Sequence, residues 1–448
     1  MIDSDIRTYT YPDGNIQRIQ CVRFDSWKDL DFLIPEHSRE AFQGVVALYR
    51  DFFMPRLSLV EGRVVLFRVP DDLKLPGSFM NDADELFYDR TAAVAAMFRK
   101  NVSYKRKRLS FSDRDTEDVY RRLKQRGCLE ELDGKLSKIR FLPVGDTMGY
   151  LSQSRKDARL KTNSSFFLFD RLDCDSVYDR IGTAFGLCVK NGKILLPPLF
   201  DREALMVDRE GKVSVSSVPL KRIVVEIDGT EYRDGVDCLF YSRPQNKVTP
   251  AGVCDIVVEG SRAVAIRKGG KTTVPCGGFV IQTKRMIDKI SDTEVRFHGL
   301  EDVPFAIQVG NSVIINGKET NRFISPFYRF LNPFEIAYPP AMYPLNYKKD
   351  RAPRIVLGAD KDDKPMLVWL EGAGKFGHEK GKESCGASLS ETADICKELG
   401  LYNAVHLDGG GSAQILIDNQ RKLKISDRDP DDFSEKERAV AMGLYLKQ

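Results

Sequence analysis

The residues best suited to chemistry form the segment Leu407–Ser412, with the sequence Leu-Asp-Gly-Gly-Gly-Ser. Three consecutive glycines are costly in chain entropy, so they usually answer a demand on the backbone. A glycine-rich turn can direct several N–H groups at one anion, and Ser412 adds a hydroxyl donor. Asp408 places a carboxylate at the start of this turn. A plain hairpin turn is the alternative, but it needs fewer glycines, so we favour a functional turn.

A second carboxylate, Glu391, precedes this turn in the sequence Ser388-Leu389-Ser390-Glu391. This pattern is a capping box, in which Ser388 caps a helix and Glu391 reaches back to the cap. The helix that starts there leads through one short turn to the strand before Asp408, so the helix start is expected near the glycine turn. Glu391 therefore fits a capping role and an active-site role equally well, and the two roles do not exclude each other.

Two further polar residues stand at the ends of predicted strands. Arg354 opens a strand after a proline-rich lead, and its guanidinium is suited to bidentate binding of a phosphodiester. A surface salt bridge is the alternative for Arg354. Asn163 ends a strand just before two phenylalanines. It belongs either to the site or to its own turn, where its amide would bond the backbone.

Three more residues near these motifs carry charge or can titrate. Glu371 follows a predicted strand and precedes a loop rich in glycine and lysine, which is either a phosphate-attracting lid or an ordinary surface loop. Arg438 is expected chiefly as an ion-pair partner of Glu437 or Asp408. His406 lies two residues before Asp408, so an extended strand would place both side chains on one face.

Taken in their order along the chain, these motifs resemble the phosphodiester glycosidase family. The stretch from Gly386 to Ser412 carries most of the resemblance, through the capping box, the Leu-Gly at the helix end and Leu-Asp-Gly-Gly-Gly-Ser. Weaker matches follow in the family's order, at 162–167, 186–192, 274–278, 309–318, 353–354 and 437–440. The match runs from about Lys138 onwards, and only the Asp408 motif in it is highly specific. The resemblance implies that the part from about Arg351 to Leu446 forms the catalytic half of the domain. The resemblance implies a hydrolase that cleaves a glycosyl phosphodiester at its glycosidic bond.

That reaction needs a carboxylate as base or nucleophile and donors that absorb the charge of the leaving phosphate. Asp408 and Glu391 would form the carboxylate pair, and the glycine turn with Arg354 would supply donors. The predicted catalytic residues are Asp408, Glu391, Arg354 and Asn163. The predicted substrate-binding residues are Gly409, Gly410, Gly411, Ser412, Glu371 and Arg438. The expected partner is a phosphorylated glycan or another sugar-phosphate substrate. No cofactor and no metal-ligating residues are predicted, and the part of a metal ion stays open.

The chain also departs from the family's pattern. Ile355 stands where the family usually has threonine, Asn311 replaces part of a glycine-rich turn, and His406 replaces an asparagine. These departures favour an alternative in which the same scaffold binds a sugar phosphate or a nucleotide without catalysing a reaction.

The elements that must position these residues predict an α+β fold. From about Lys138 the sequence shows many short strands separated by Asn-Gly, Asp-Gly and Gly-Gly turns, which predict strand-rich mixed or antiparallel sheets. Helices are expected at Thr147–Lys156 and from Leu389 to Gly400. We predict three parts: residues 1–37 as strands that join the main sheet, 38–137 as a mainly helical basic insertion, and 138–448 as a phosphodiester glycosidase-like domain.

The bulk composition narrows the remaining function classes. The chain has 448 residues, of which 42% are hydrophobic, and a formal net charge of +4, so global charge indicates no polyanionic partner. A basic cluster at Lys105–Arg108 and Arg121–Arg126 is interpreted as a solvated helical face, with nucleic-acid binding as the less favoured alternative.

No secretory signal or long apolar run is seen, which predicts a cytoplasmic protein without a membrane span. The nine cysteines form no CxxC pair, so no structural zinc is expected. The oligomeric state stays open.

Overall fold

The structure is a computed structural model. It describes residues 2–38, 40–41, 64–66, 73, 94, 97–98, 101–105, 108–126, 128–131, 148–167, 182, 184–198, 203–217, 222–242, 248–275, 278–308, 310, 312–320, 351–373, 377–429 and 432–447.

Short strands dominate the described residues. In chain order they are β1 Ile2–Thr10, β2 Ile16–Phe24, β3 Leu30–Leu33, β4 Val64–Leu66, β5 Val102–Lys105, β6 Arg108–Phe111, β7 Leu129–Glu131, β8 Leu160–Asn163, β9 Phe166–Phe167, β10 Ala184–Phe185, β11 Cys188–Lys190, β12 Lys193–Leu196, β13 Glu203–Val207, β14 Val213–Ser217, β15 Val224–Ile227, β16 Thr230–Arg233, β17 Cys238–Ser242, β18 Ala251–Glu259, β19 Arg262–Gly270, β20 Gly278–Thr283, β21 Val295–His298, β22 Phe305–Ile307, β23 Ser312–Ile315, β24 Lys318–Glu319, β25 Arg354–Ala359, β26 Pro365–Leu370, β27 Asn403–His406, β28 Ile415–Ile417 and β29 Gly443–Leu446. Two α-helices are described in full, α1 Arg114–Gln125 and α2 Leu389–Glu398, and Gly410–Ser412 form a 3-10 turn.

The sheet that carries the site has seven strands in the order β1-β2-β26-β25-β27-β23-β24, and each neighbouring pair is antiparallel. Strand β25 is buried on both faces: Ile355 and Leu357 join one core cluster, and Val356 joins another. The first cluster also contains residues of a smaller sheet, β28-β8-β29-β3. The second contains Cys396 and Leu399 of the α2 region. The main sheet therefore lies between a second sheet and a helix.

Two further sheets extend the strand-rich part. One has the order β12-β11-β22-β13-β14, and the other has the order β17-β20-β18-β19. The hairpin between β11 and β12 turns at Asn191 and Gly192, whose φ angles are 50° and 78°. These left-handed angles are what a tight Asn-Gly hairpin requires, so the predicted turn is confirmed.

Helix α2 begins as its sequence predicts. The hydroxyl of Ser388 accepts a hydrogen bond from the Glu391 N–H at 3.2 Å, and the Glu391 carboxylate accepts one from the Ser388 N–H at 2.9 Å. The capping box is therefore confirmed. The helix ends at Glu398, and Gly400 adopts a φ of 90°, a left-handed conformation that suits glycine past a helix end.

Some sequence expectations are corrected. The predicted antiparallel, strand-rich architecture is confirmed, but the helix expected at Thr147–Lys156 is wrong, because residues 151–154 form turns. The ammonium of buried Lys161 binds the carbonyls of Leu151 and Ser154, both at 2.7 Å, so this segment is held by a side chain instead of a helical ladder.

A mainly helical insertion at 38–137 is not shown. Its described residues form α1, the short strands β4 to β7 and isolated helical positions such as Val94, Met97 and Phe98. Most residues between 42 and 100 lie outside the described residues. The division into three parts stays a prediction.

The basic residues of α1 are partly neutralised within the helix itself. Arg121 and Arg122 both pair with Asp118, so part of the predicted basic face is matched by its own acid. The side chains of Lys105 and Arg108 lie outside what the structure describes. Among the described residues, no helix has both the length and the apolarity that a membrane crossing requires.

Candidate active site

The turn after β27 is held at both ends by one buried amide. Asn163, at the end of β8, donates a hydrogen bond from Nδ2 to the backbone carbonyl of Asp408 at 2.5 Å. Its Oδ1 accepts a hydrogen bond from the Gln414 N–H at 3.1 Å. The Asp408 N–H in turn donates to the carbonyl of Ser164 at 2.8 Å. Asn163 therefore fixes where Asp408 enters the turn and where Gln414 leaves it.

Each of the three glycines in the turn has a separate structural reason. A Cβ at position 409 would lie 2.7 Å from the carbonyl oxygen of Pro353, and a Cβ at position 411 would overlap the guanidinium of Arg438. Gly410 has open space around it but a φ of 58°, which side chains other than glycine adopt at a cost. The triple glycine is thus explained by close packing at two positions and by backbone conformation at the third.

Several N–H groups of this turn already have acceptors within the protein. The Gly410 N–H donates to the carbonyl of Pro353 at 2.9 Å, and the Ser412 N–H donates to the carbonyl of Gly409 at 3.2 Å. The Gly409 N–H bonds to the Asp408 carboxyl group. These donors are engaged, so a phosphate group beside the turn needs donors from elsewhere. The binding roles predicted for Gly409, Gly410, Gly411 and Ser412 stay predictions.

Asp408 carries the largest electrostatic anomaly of the turn. The residue is 2% exposed, and burial raises the pKa of its carboxyl to about 8, with the negative charge of Asp427 acting in the same direction. Hydrogen bonds from Ser412 and Gly409 oppose this rise without cancelling it. A carboxyl group with this pKa is mostly protonated at neutral pH, so Asp408 can donate a proton there.

A buried ion pair packs against the glycine turn. The Arg438 guanidinium binds Asp427 through two hydrogen bonds, Nε to Oδ2 at 2.8 Å and Nη2 to Oδ1 at 3.1 Å, and both side chains are 6% exposed. Its Nη1 also donates to the Ser412 hydroxyl at 3.4 Å. Burial lowers the pKa of Arg438 to about 9, which still leaves it charged at neutral pH. Asp427, Arg438, Ser412 and Asp408 thus form one connected network.

The partner of Arg438 differs from the sequence expectation. Glu437 and Asp408 were the expected partners, but Arg438 pairs with Asp427, and Glu437 pairs with Arg421 at 3.2 Å. Neighbouring residues on an extended segment point to opposite sides, which separates Glu437 from its neighbour. Asp427 was missed because it lies in irregular chain after β28, where no periodicity signals which side chains face inwards.

Arg354 and His406 lie on adjacent strands of the main sheet. Arg354 is 1% exposed, and its Nε donates to the carbonyl of Ala387 at 2.9 Å. His406 pairs in register with Val356, two residues along β25. Burial, and to a lesser degree the charge of Arg354, lower the pKa of His406 well below its ordinary value. His406 is therefore a neutral imidazole next to a buried cation.

Glu391 binds partners other than Asp408. Its carboxylate binds Arg351 through contacts of 2.7 to 3.1 Å, and Arg351 also pairs with Asp13 at 2.6 Å. Burial pushes the pKa of Glu391 upwards, but the hydrogen bonds from Arg351 and from the Ser388 backbone outweigh this effect and lower it. Among the described residues, no hydrogen bond or ion pair joins Glu391 to Asp408. The acid that raises the pKa of Asp408 is Asp427.

The Glu371 carboxylate binds a different group of residues. One oxygen accepts a hydrogen bond from the Ser384 hydroxyl at 2.5 Å and pairs with Arg18 at 2.9 Å. The other accepts the backbone N–H of Lys424 at 2.8 Å. The next residue, Gly372, packs closely on Pro353, because a Cβ at position 372 would lie 2.9 Å from the Pro353 nitrogen.

The structure thus gathers the predicted residues into neighbouring groups. Asn163, Asp408, the glycine turn and Arg438 form a single cluster. The segment Arg351–Arg354 connects it to the others, because Pro353 receives the Gly410 N–H while Ala352 pairs with Ala387 at the start of the segment that leads into α2. Arg354 belongs to this segment, and Glu391 contacts it by binding Arg351. Glu371 lies next to it in the chain that packs on Pro353 through Gly372.

Comparison with known proteins bears on what this arrangement does. Residues 251–447, which contain the glycine turn and its whole ion-pair network, match the sequence model of the phosphodiester glycosidase family. This confirms the resemblance to phosphodiester glycosidases. The matched segment starts at residue 251, later than the start near Lys138 that the motifs predicted, so β8 and Asn163 lie before it. No curated protein matches the chain.

Two solved structures are similar to the chain as a whole. A hypothetical protein from Synechocystis shares 14% identity with a TM-score of 0.40, covering 99% of this chain and 62% of that protein's chain. The catalytic domain of zebrafish N-acetylglucosamine-1-phosphodiester alpha-N-acetylglucosaminidase, auto-inhibited by its pro-peptide, shares 10% identity with a TM-score of 0.40, covering 100% of this chain and 83% of that one. The chain thus spans less than two thirds of the Synechocystis protein.

Proposed function

We propose that the protein is a glycosidase that hydrolyses a glycosyl phosphodiester, with Asp408 as its proton donor. The observation that carries this proposal is the buried carboxyl of Asp408, whose pKa is raised to about 8 in a turn typical of the phosphodiester glycosidase family. The substrate class is a phosphorylated glycan or another sugar-1-phosphate ester. The sugar and the group on the far side of the phosphate are left open by the site.

The reaction breaks the bond between the anomeric carbon and the phosphate oxygen. As this bond breaks, Asp408 donates its proton to the departing phosphate, and positive charge develops on the sugar ring. Water then adds to the anomeric carbon and returns a proton to the site, which gives a free sugar and a phosphomonoester. Ser412 and the Arg438–Asp427 pair orient the Asp408 carboxyl, since Ser412 bonds to both Arg438 and Asp408. Asn163 positions the same turn through the Asp408 carbonyl.

Arg354 and Glu391 have supporting roles in this proposal. Arg354 places a buried positive charge on the adjacent strand, which favours the negative charge that develops on the leaving phosphate. The pKa of Glu391 is lowered and the pKa of Asp408 is raised, so at neutral pH the first carboxyl group is ionised and the second is mostly protonated. Because Glu391 is bound by Arg351, its part as the catalytic base is a separate hypothesis that needs its own variant.

The test is sugar release from a panel of methyl diesters of hexose 1-phosphates and N-acetylhexosamine 1-phosphates. We expect free reducing sugar and methyl phosphate in equal amounts with the wild-type protein. Asp408→Asn should release neither above background. Release of methanol and sugar 1-phosphate would instead show phosphodiesterase chemistry and would contradict the proposal.

A non-catalytic sugar-phosphate or nucleotide-binding protein is the second candidate. It is favoured by the burial of Asp408 at 2% exposure and by the engagement of both Glu391 oxygens with Arg351. Calorimetry distinguishes the two functions. Saturable binding of a hexose 1-phosphate diester that is recovered intact after prolonged incubation supports a binding protein, whereas its conversion supports the enzyme.

A further inference from the structure

A polar cleft of about 270 Å³ opens at the end of β26, and three cationic side chains line it. They are Arg18 from β2, and Lys424 and Arg428 from the segment after β28. Glu371 lies between them and fixes two of these elements, because it pairs with Arg18 and accepts the backbone N–H of Lys424. The cleft therefore has a built wall, in which a buried carboxylate holds the chain segments that present the cations.

The three cations also act on a second carboxylate of the cleft. Glu383 also lines it, and the pKa of Glu383 is lowered by the Glu379 N–H and by the charges of Lys424, Arg428 and Arg18. All three cations thus act on a single exposed carboxylate. Such a convergence of positive charge at one polar cleft is suited to an anion.

Two contacts link the cleft to the candidate active site. On one side, Gly372 lines the cleft and packs on Pro353, whose carbonyl accepts the Gly410 N–H. On the other, Arg428 donates to the carbonyl of Asp427, whose carboxylate binds Arg438 behind the turn. The cleft is therefore separated from the glycine turn by one residue on each side, Pro353 and Asp427. A phosphoryl group between them takes its donors from the cleft, because the N–H groups of Gly409, Gly410 and Ser412 are engaged.

We propose that this cationic cleft binds the phosphoryl group of the substrate and keeps it in the phosphomonoester product. The inference rests on the proposed function, and it names the part of the protein that holds the leaving group. The volume suits one phosphoryl group with at most one attached ring, since pockets for larger ligands start at about 300 Å³. Phe433 lines the cleft and is 66% exposed, so its ring offers a surface against which the attached group packs.

This assignment has a kinetic consequence. A phosphodiester carries one negative charge, and the phosphomonoester product carries close to two near neutral pH. The cleft sets three cations against the two carboxylates Glu371 and Glu383, and its remaining positive charge binds the more highly charged species more tightly. The product, and inorganic phosphate with it, should therefore compete with the substrate for the cleft.

The decisive variant is Lys424→Ala. It removes the ammonium but keeps the backbone N–H that Glu371 accepts, so the wall of the cleft remains. Glu383→Gln is its opposite, because it removes the competing negative charge while its amide oxygen still accepts the Glu379 N–H. Lys422→Ala is the matched control, since Lys422 is an exposed lysine two residues away that does not line the cleft.

The experiment is calorimetric titration of the full chain with inorganic phosphate and with methyl phosphate. We expect one saturable site in the wild type, about tenfold weaker in Lys424→Ala, two- to threefold tighter in Glu383→Gln and unchanged in Lys422→Ala. No saturable binding, or equal loss in both lysine variants, overturns the inference. If phosphate binds as expected but no diester is hydrolysed, the proposed function fails while the anion site stands. If sugar is released but phosphate does not bind, the anion site fails while the proposed function stands.

Discussion

The guanidinium of Arg438 binds Asp427 through two hydrogen bonds and fills the space that a side chain at position 411 would need. Gly411→Ala should therefore break a buried ion pair, at a cost of about 3–5 kcal/mol in the free energy of unfolding. Gly410→Ala, where only the positive φ is strained, should cost about 1–2 kcal/mol. Urea denaturation measures both, and equal costs would contradict the packing explanation.

Asp408→Asn should abolish sugar release and change the pH dependence of stability. The folded-state pKa of about 8 lies above the value near 3.9 expected in the unfolded chain, so the folded state holds a proton that the unfolded state loses. The wild type should lose stability relative to Asp408→Asn as the pH rises from about 4 to about 8, by up to ~1.4 kcal/mol per pH unit. A pH-independent difference between the two unfolding curves would show that Asp408 is ionised in the folded protein.

His406→Asn should make the protein more resistant to acid. The pKa of His406 is lowered by burial, so below about pH 6.5 the unfolded chain takes up a proton that the folded chain does not. The stability contributed by neutral His406 is fully present above that pH and is lost as the pH falls. Thermal midpoints at pH 7.5 and pH 5.5 measure this. We expect the wild type to lose more than the variant, and an equal loss would contradict a buried neutral imidazole.

Glu391→Gln separates the structural role of Glu391 from the catalytic one. Glutamine keeps the capping box but loses the charge that Arg351 binds, so the unfolding free energy should fall by about 1 kcal/mol. Because Arg351 holds the carboxylate, we expect turnover per folded molecule to stay within about threefold of the wild type. A fall of a hundredfold or more, with the same modest loss of stability, would instead establish Glu391 as the base.

Local sequence signals predicted local structure well. The Asn191-Gly192 hairpin and the Ser388–Glu391 capping box depend on neighbouring residues alone, and both form as expected. The position of the Asp408 turn at the end of a strand was also predictable. The failures concern contacts between segments distant in sequence. The partner of Arg438 lies in irregular chain, and Lys161 replaces the helix expected at Thr147–Lys156 by binding two carbonyls.

The reason for the triple glycine shows the same limit. The sequence indicated correctly that the backbone there is under a special demand. It could not show that the demand comes from Pro353 and Arg438 packing against the turn, because both residues reach it from other segments. An anion cradle and a crowded turn require the same glycines, and only the three-dimensional contacts distinguish them.

The order of the strands also constrains how the chain is made. β2 pairs with β26, and β3 pairs with β29, so each of these two strands waits for a partner that is synthesised much later in the chain. Until then the edge of β2 that β26 covers, at Ile19 and Cys21, has no partner strand, and such edges invite aggregation. A nascent chain that stalls between residues 370 and 443 would therefore have β2 covered by β26 but β3 without β29, and a chain cut before residue 443 should lose structure first at residues 30–33.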